Sequence, residues 1–123
     1  MSVKVMIVDD STTMRHQIQL TLNKAGYLTV EAADGTEGLE KLDQNPDAKL
    51  IFIDVNMPQM GGLEMLERIR ENEAYADISC VILTTEVDKA KLEQARKFGA
   101  KGWIIKPFTP TQLLDVTKKL TGS

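Results

Sequence analysis

Five short apolar runs, rich in β-branched residues, alternate along the chain with stretches whose apolar residues recur at helical spacing. Each run is too short for a buried helix and is predicted to form a strand. The runs are, in order, VKVMIV (3–8), YLTVEA (27–32), LIFI (50–53), CVILT (80–84) and GWII (102–105). Regular alternation of strands and helices is typical of a parallel sheet covered on both faces. The chain is therefore predicted to be an α/β protein with five parallel strands.

A helical stripe follows each run. The five stripes are Met14, Ile18, Leu22 and Ala25, then Leu39 and Leu42, then Leu63, Leu66 and Ile69, then Leu92, Ala95 and Phe98, and finally Leu113, Leu114, Thr117 and Leu120. Gly26 and Gly99 are predicted to end the first and fourth helices, and Pro110 falls in the first turn of the fifth. No linker is left over, so residues 1–123 are predicted to form a single domain.

Composition narrows the classes of protein to which the chain can belong. A net charge of −3 does not suit a nucleic-acid-binding surface. The single cysteine, Cys80, cannot form an internal disulfide, which suits a reducing cytoplasm. The amino terminus lacks the apolar core of a signal peptide, and no later apolar run approaches a membrane span. We therefore expect a soluble cytoplasmic domain that neither enters a membrane nor binds nucleic acid.

Chemically distinctive residues follow four of the five predicted strands. In strand order they are Asp9 and Asp10 after the first, Asp54 and Asn56 after the third, Thr84 and Glu86 after the fourth, and Lys106 and Pro107 after the fifth. The carboxyl ends of parallel strands share one edge of the sheet, where open α/β sheets bind their ligands. Three carboxylates, a hydroxyl and a lysine are therefore predicted to converge at that edge.

Such a cluster of acids requires cations. Three ionised carboxylates about 5 Å apart repel by roughly 3 kcal/mol per pair at an effective dielectric constant near 20. Lys106 supplies one positive charge, and a hard divalent cation such as Mg²⁺ is the natural complement to oxygen ligands. With both cations present the site attracts phosphate, and one carboxylate can attack phosphorus to form an acyl phosphate. Thr84 can then donate its hydroxyl to a phosphate oxygen.

The four strand-end motifs IVDDS, IDVNMPQMGG, ILTT and IIKPF together resemble those of response-regulator receiver domains, and the resemblance spans the whole chain. It implies a flavodoxin-like (βα)5 fold with strand order 2-1-3-4-5, and a single receiver domain without an output domain. It also implies that Asp54 is the phosphoacceptor and that Mg²⁺ is held by Asp9, Asp10, Asp54 and the backbone carbonyl of Asn56. The implied Lys106–Pro107 peptide bond is cis, which costs little before proline.

The remaining site residues also come from the resemblance. Lys106 is expected to bond a phosphoryl oxygen, and Thr84 to act as the switch hydroxyl that moves towards it. Asn56 and Glu86 are expected to flank the phosphoryl group and modulate its hydrolysis. Trp103 stands where many members of the family carry a switching Tyr or Phe, and its larger side chain disfavours complete inward rotation. The partner surface is expected to comprise Lys89, Lys91, Lys101, Trp103, Lys118 and Lys119.

The implied function is signalling by phosphotransfer. Such domains take a phosphoryl group from a histidine kinase, catalyse the transfer on themselves and later hydrolyse the product, without turnover of a separate substrate. The DVNMP and LTTE segments are most similar to stand-alone chemotaxis regulators that engage the flagellar motor switch as monomers, with a phosphatase as a further partner. A single-domain phosphorelay intermediate and a regulator of another process, such as pilus motility, are alternatives.

Simpler interpretations remain open at the sequence level. Asp9 or Asp10 could cap the first helix, Lys106–Pro107 could be an ordinary turn, and Trp103 could be a packing residue. A Mg²⁺-dependent phosphohydrolase would usually carry a second acid where Asn56 stands, and an FMN-binding flavodoxin would carry a hydroxyl-rich loop where the acidic pair stands. His16 is expected to be an exposed residue with no catalytic role.

Overall fold

Strands and helices alternate along the chain as the sequence predicts. The computed structural model describes residues 2–57, 60–85 and 88–122. The strands are Lys4–Val8 (β1), Leu28–Ala32 (β2), Leu50–Asp54 (β3), Ser79–Thr84 (β4) and Gly102–Ile105 (β5). The helices are Thr12–Lys24 (α1), Gly35–Gln44 (α2), Gly62–Arg70 (α3), Lys89–Lys97 (α4) and Pro110–Thr121 (α5), with a turn of 3-10 helix at Glu73–Tyr75. Within the described ranges, no helix combines the length and the apolar character needed to cross a membrane.

The five strands form one parallel sheet in the order β2-β1-β3-β4-β5, which confirms the expected fold class and strand order. The strand order reverses between β1 and β3, and that reversal opens a crevice at their carboxyl ends. Val8 lies opposite Ile53, and Asp54 lies opposite Leu83. The three central strands therefore end nearly level, and the residue after Val8 reaches the side of Asp54.

Apolar side chains cover the sheet on both faces. On one face Ile7 and Phe52 pack with Leu22 of α1, and α5 covers the same face. On the other face Ile53 packs with Leu66 of α3, and α2 and α4 complete that layer. Burying side chains of this size stabilises the fold by about 1.5–3 kcal/mol each. The packed sheet therefore holds the residues at the carboxyl ends of its strands in fixed positions.

The helix ends follow the predicted signals. Gly26 and Gly99 follow α1 and α4 with φ values of 95° and 81°, in the left-handed region that glycine adopts at low cost. Pro110 is the first residue of α5, and Thr109 caps that helix by accepting a hydrogen bond from the Gln112 backbone N–H. The two glycines therefore follow the ends of α1 and α4, and α5 starts just beyond Lys106.

Candidate functional site

Three carboxylates meet at the carboxyl edge of the sheet, as the sequence predicts. One oxygen each from Asp9, Asp10 and Asp54 lies within 4.8 Å of the other two. Asp9 follows β1 and is fully buried, and Asp54 ends β3 with 6% of its surface exposed. Asp10 is exposed, so the cluster is open to solvent on one side. A solute can therefore approach two buried acids past an exposed one.

Lys106 brings the end of β5 to the same cluster. Its Nζ donates a hydrogen bond to Asp9 Oδ2 at 2.8 Å and lies 3.6 Å from Asp54 Oδ1. The Lys106 backbone N–H donates to the Thr84 carbonyl at 2.7 Å, which ties the ends of β4 and β5 together. The Lys106–Pro107 peptide bond is cis, which confirms the expected geometry. The lysine neutralises one of the three carboxylates in the cluster when all three are ionised.

The environment of Asp54 disfavours its charge. Burial, followed by the negative charge of Asp9, raises the pKa of the Asp54 carboxyl to about 6. Lys106 and the backbone N–H of Asn56, which donates to Asp54 Oδ1 at 3.3 Å, act in the opposite direction and are outweighed. Ionised Asp54 is therefore held at a cost that a bound cation would relieve.

Ser11, before α1, and Arg15, within it, hold the side chain and the backbone carbonyl of Asp9 respectively. The Ser11 backbone N–H donates to Asp9 Oδ1 at 2.9 Å, and Arg15 Nη1 donates to the Asp9 backbone carbonyl at 2.6 Å. Ser11, not either aspartate, caps α1, since its Oγ accepts from the Met14 N–H at 3.2 Å. The helix-cap interpretation of the acidic pair is therefore wrong. Arg15 was not among the site residues predicted from the sequence.

A glycine lets α3 approach the carboxyl edge of the sheet closely. A Cβ atom on Gly62 would lie 2.3 Å from the Asp54 backbone carbonyl oxygen, which is well inside van der Waals contact. The Gly62 N–H also donates to the Val55 carbonyl at 3.2 Å. The second glycine of the Gly61–Gly62 pair is therefore required by the close packing of α3 against the end of β3. The sequence showed the pair but not this reason for it.

Thr84, Asn56 and Glu86 are the other residues predicted to lie at this edge. Thr84 ends β4 with 5% of its surface exposed, one position beyond the partner of Asp54 in the sheet register. Asn56 is exposed beside Asp54. Glu86 lies outside the described residues, so its role stays a prediction. His16 is exposed on α1, as expected.

The predicted partner surface lies around β5, an edge strand of the sheet. Trp103 is 40% exposed on this edge strand, and Lys101 and Lys119 join it around a cleft of about 110 Å³. Ile105, 43% exposed, joins Trp103 in a second groove of about 450 Å³ that the sequence did not predict. The alternation of side chains along GWII could have indicated it. Lys89 and Lys118 are exposed, and Lys91 is half-buried at the start of α4.

The acidic cluster has the chemistry of a site for a hard divalent cation. All three side chains in it offer carboxylate oxygens, which are the ligands that Mg²⁺ and Ca²⁺ prefer. With Lys106 in place, three ionised carboxylates retain an excess of two negative charges. One divalent ion balances that excess, and the exposed side of the cluster gives it access. The residues present therefore fit a bound metal ion.

Comparison with known proteins agrees with this geometry. The response regulator receiver domain family matches residues 5–118. The Helicobacter pylori chemotaxis protein CheY1 is 41% identical over 122 residues, which cover 98% of each chain. A high-resolution structure of the Vibrio cholerae chemotaxis response regulator CheY4 is 38% identical, with a TM-score of 0.90 over 98% of this chain and 99% of that one.

A further similar structure, at lower sequence identity, comes from a complex of two proteins. A chain of the CheX–CheY–BeF3–Mg²⁺ complex from Borrelia burgdorferi is 25% identical, with a TM-score of 0.88 over 95% of this chain and 87% of that one. The curated relative, the solved structures and the family match all extend over nearly the full chain. Together with the parallel sheet and the residues at its carboxyl edge, they show that the chain belongs to the family of response-regulator receiver domains.

Proposed function

We propose that this protein is a phosphorylation-activated switch of a two-component system, and that Asp54 accepts the phosphoryl group from a phosphohistidine of a kinase. One observation carries the proposal: Asp9, Asp10 and Asp54 converge within 4.8 Å, with Lys106 Nζ 3.6 Å from Asp54 Oδ1. Carboxylates and a lysine in this arrangement suit phosphoryl transfer to a carboxylate better than they suit hydride or acyl transfer. Membership of the receiver family supports the same conclusion.

The transfer forms one bond and breaks another. An Asp54 carboxylate oxygen bonds to phosphorus while the bond from phosphorus to the donor imidazole nitrogen breaks, and its electron pair stays on that nitrogen. The product is an acyl phosphate on Asp54. Lys106 Nζ, 3.6 Å from Asp54 Oδ1, can reach a phosphoryl oxygen by a shift away from Asp9. Thr84 can supply a hydroxyl donor from the neighbouring strand end. Both donors stabilise charge that grows on the phosphoryl oxygens.

The metal in this proposal is Mg²⁺, held by Asp9, Asp10, Asp54 and the backbone carbonyl of Asn56. Bound there, Mg²⁺ supplies positive charge beside the phosphoryl oxygens. The protein's part is to hold the oxygen ligands in place: the Ser11 backbone N–H fixes the Asp9 carboxylate through Oδ1 at 2.9 Å. Catalysis is confined to the protein's own phosphorylation and hydrolysis, so we do not propose a turnover enzyme.

The output we propose is chemotaxis signalling in the cytoplasm through protein contacts. The relatives described above are chemotaxis proteins. The surface of Trp103, Ile105, Lys101 and Lys119 combines exposed apolar area with positive charge, which suits an acidic, partly apolar peptide. We propose the flagellar motor switch as that partner. The CheX-containing complex from Borrelia burgdorferi supports a second partner, which we propose to be a phosphatase.

Two alternatives make different demands on the protein. A phosphorelay intermediate, or a regulator of a process such as pilus motility, would use the same Asp54 chemistry with a different partner. A phosphohydrolase would need an acid to protonate the leaving group, and the exposed residue two positions after Asp54 is the amide Asn56.

Phosphotransfer from a kinase tests the proposal. A histidine kinase carrying radiolabelled phosphohistidine should label the wild-type protein within minutes when Mg²⁺ is present, and should fail to label Asp54→Asn. Asp77→Asn, which removes an exposed acid before β4, is the matched control and should be labelled like the wild type. Equal labelling of Asp54→Asn would contradict the proposed phosphoacceptor. Binding of the labelled protein to a motor-switch peptide, or transfer of its label to a histidine phosphotransfer domain, then separates the two outputs.

A further inference from the structure

Arg15 of α1 links the acidic pair to a strand that contributes no ligand. Its Nη1 donates to the Asp9 backbone carbonyl at 2.6 Å, and its Nε lies 3.5 Å from Glu31 Oε1 on β2. The Arg15 and Glu31 side chains are 16% and 30% exposed, so solvent screens this pair less than an exposed one. A planar guanidinium makes both contacts at once, which an ammonium cannot do with the same geometry.

The carbonyl that Arg15 holds belongs to the peptide group between Asp9 and Asp10. The next peptide group is held from the other side, because the Ser11 N–H donates to Asp9 Oδ1 at 2.9 Å. Asp10 is exposed and lies between these two fixed peptide groups. The backbone on either side of Asp10 therefore sets the direction of its carboxylate. Rotation of the Asp9–Asp10 peptide would move that carboxylate away from Asp9 and Asp54.

We propose that Arg15 is a positioning residue for the cation site and that Glu31 orients it. By fixing the Asp9–Asp10 peptide, Arg15 keeps the Asp10 carboxylate within reach of the ion that Asp9 and Asp54 also bind. This inference rests on the proposed function, since it concerns the proposed Mg²⁺ site. It also gives β2 a part in that site through the Glu31–Arg15 pair.

The charge of Arg15 and its geometry have opposite effects on Mg²⁺ binding. As a cation near the acidic cluster, Arg15 repels Mg²⁺, so a neutral replacement would strengthen binding if charge alone mattered. As a positioning residue, it holds a ligand in place, so the same replacement would weaken binding. The sign of the change in affinity therefore shows which of the two effects is larger, and weaker binding in the neutral variant requires a positioning effect that exceeds the charge effect.

The experiment compares Mg²⁺ affinity by isothermal titration calorimetry in four variants. Arg15→Gln removes both the positive charge and the planar guanidinium, whereas Arg15→Lys keeps the charge without the guanidinium. Glu31→Gln weakens the Arg15–Glu31 ion pair by removing the charge of its acidic partner. Arg68→Gln is the matched control, because Arg68 is an exposed arginine of α3 paired with Glu64 at 3.7 Å. We expect Mg²⁺ dissociation constants about tenfold higher for Arg15→Gln, and raised for Arg15→Lys and Glu31→Gln, as for other outer-shell partners of metal ligands. The control should match the wild type.

Amide hydrogen exchange in metal-free protein provides a readout that does not depend on the ion. The Ser11 N–H, bonded to Asp9 Oδ1, should exchange about tenfold faster in Arg15→Gln and in Glu31→Gln, because the turn around it loosens. The Phe52 amide in the core strand β3 reports global stability and should exchange as in the wild type.

Two results would overturn the proposal. One is unchanged or tighter Mg²⁺ binding in Arg15→Gln with normal Phe52 exchange. The other is unchanged Ser11 exchange in both Arg15→Gln and Glu31→Gln. If Arg15→Gln fails to fold, unchanged Ser11 exchange in Glu31→Gln alone overturns the proposal, because loss of the Glu31 charge weakens Mg²⁺ binding whether or not Arg15 is a positioning residue. Failure of the wild-type protein to bind Mg²⁺ would instead overturn the proposed function, and the Ser11 exchange would still decide the role of Arg15.

Discussion

Lys106 donates a hydrogen bond to Asp9 at 2.8 Å, although the two residues are 97 positions apart in the chain. The same ammonium is 3.6 Å from the nearer oxygen of Asp54, so it bonds to the neighbour of the proposed phosphoacceptor and not to the phosphoacceptor itself. In this arrangement Lys106 balances part of the negative charge of Asp9 and Asp54, which a metal ion would also balance. It must shift towards Asp54 to bond a phosphoryl oxygen there, and a metal ion on Asp9 would favour that shift.

Replacing Lys106 with methionine should strengthen Mg²⁺ binding while it impairs phosphorylation. The substitution removes a positive charge that competes with Mg²⁺ for Asp9 and Asp54, so we expect affinity to rise on the order of tenfold. Isothermal titration calorimetry measures the affinity. Lys101→Met, which removes an exposed lysine just before β5, should leave it unchanged. Equal affinity in Lys106→Met and the wild type would show that Lys106 does not compete with the ion.

Without metal, the stability of the protein should fall as the pH rises through 6. The pKa of Asp54 is raised to about 6 by burial and by Asp9, whereas in the unfolded chain it returns to about 4. Between these values the native state holds a proton that the unfolded state has released. The free energy of unfolding therefore decreases with rising pH across this window, by about 2 kcal/mol between pH 4.5 and 7.

Asp54→Asn isolates that contribution, since the amide does not titrate. Urea unfolding of both proteins in a chelating buffer should show the variant gaining about 2 kcal/mol relative to the wild type between pH 4.5 and 7. Saturating Mg²⁺ should stabilise the wild type more than the variant at pH 7, because it binds the ionised site. Parallel pH profiles for the two proteins would mean that Asp54 titrates normally in the native state.

Asp10 should be required for metal binding although it is exposed. Asp10→Ala removes one of the three carboxylates that lie within 4.8 Å of one another, so Mg²⁺ affinity and phosphorylation should fall together, each by at least about tenfold. Asp77→Ala, at another exposed acid, controls for the loss of one negative charge. Retained Mg²⁺ affinity in Asp10→Ala would show that the acidic pair is not the metal site.

Trp103 is the only tryptophan in the chain, so its fluorescence reports the β5 surface directly. It is 40% exposed in this structure, and as a switch residue it should become less accessible to acrylamide when Asp54 is phosphorylated. Thr84→Val, which keeps the shape of the side chain without the hydroxyl, should remove that response. Identical quenching before and after phosphorylation would identify Trp103 as a packing residue and would leave the phosphotransfer chemistry unaffected.

The convergence of Asp9, Asp54 and Lys106 was predictable from the sequence because parallel strands end at one edge of the sheet. That argument needs only the strand positions, which the β-branched runs indicate clearly. The strand order was not derivable in the same way and came from the resemblance to receiver domains. The cis peptide bond before Pro107 had the same origin.

Contacts that depend on how the helices dock were not predictable. Arg15 of α1 contacts both the Asp9 carbonyl and Glu31, and neither contact can be inferred from spacing alone. The need for glycine at position 62 depends on the distance between α3 and the end of β3. Such details depend on three-dimensional packing between segments that lie far apart in the sequence.

Phosphorylation of Asp54 by a small phosphodonor tests the central claim most directly. Wild-type protein incubated with acetyl phosphate and Mg²⁺ should gain the mass of one phosphoryl group, and Asp54→Asn should gain none. Omission of Mg²⁺, or treatment with hydroxylamine, which cleaves acyl phosphates, should remove the gain from the wild type. An unchanged wild-type mass under these conditions, or an equal gain in Asp54→Asn, would contradict the account.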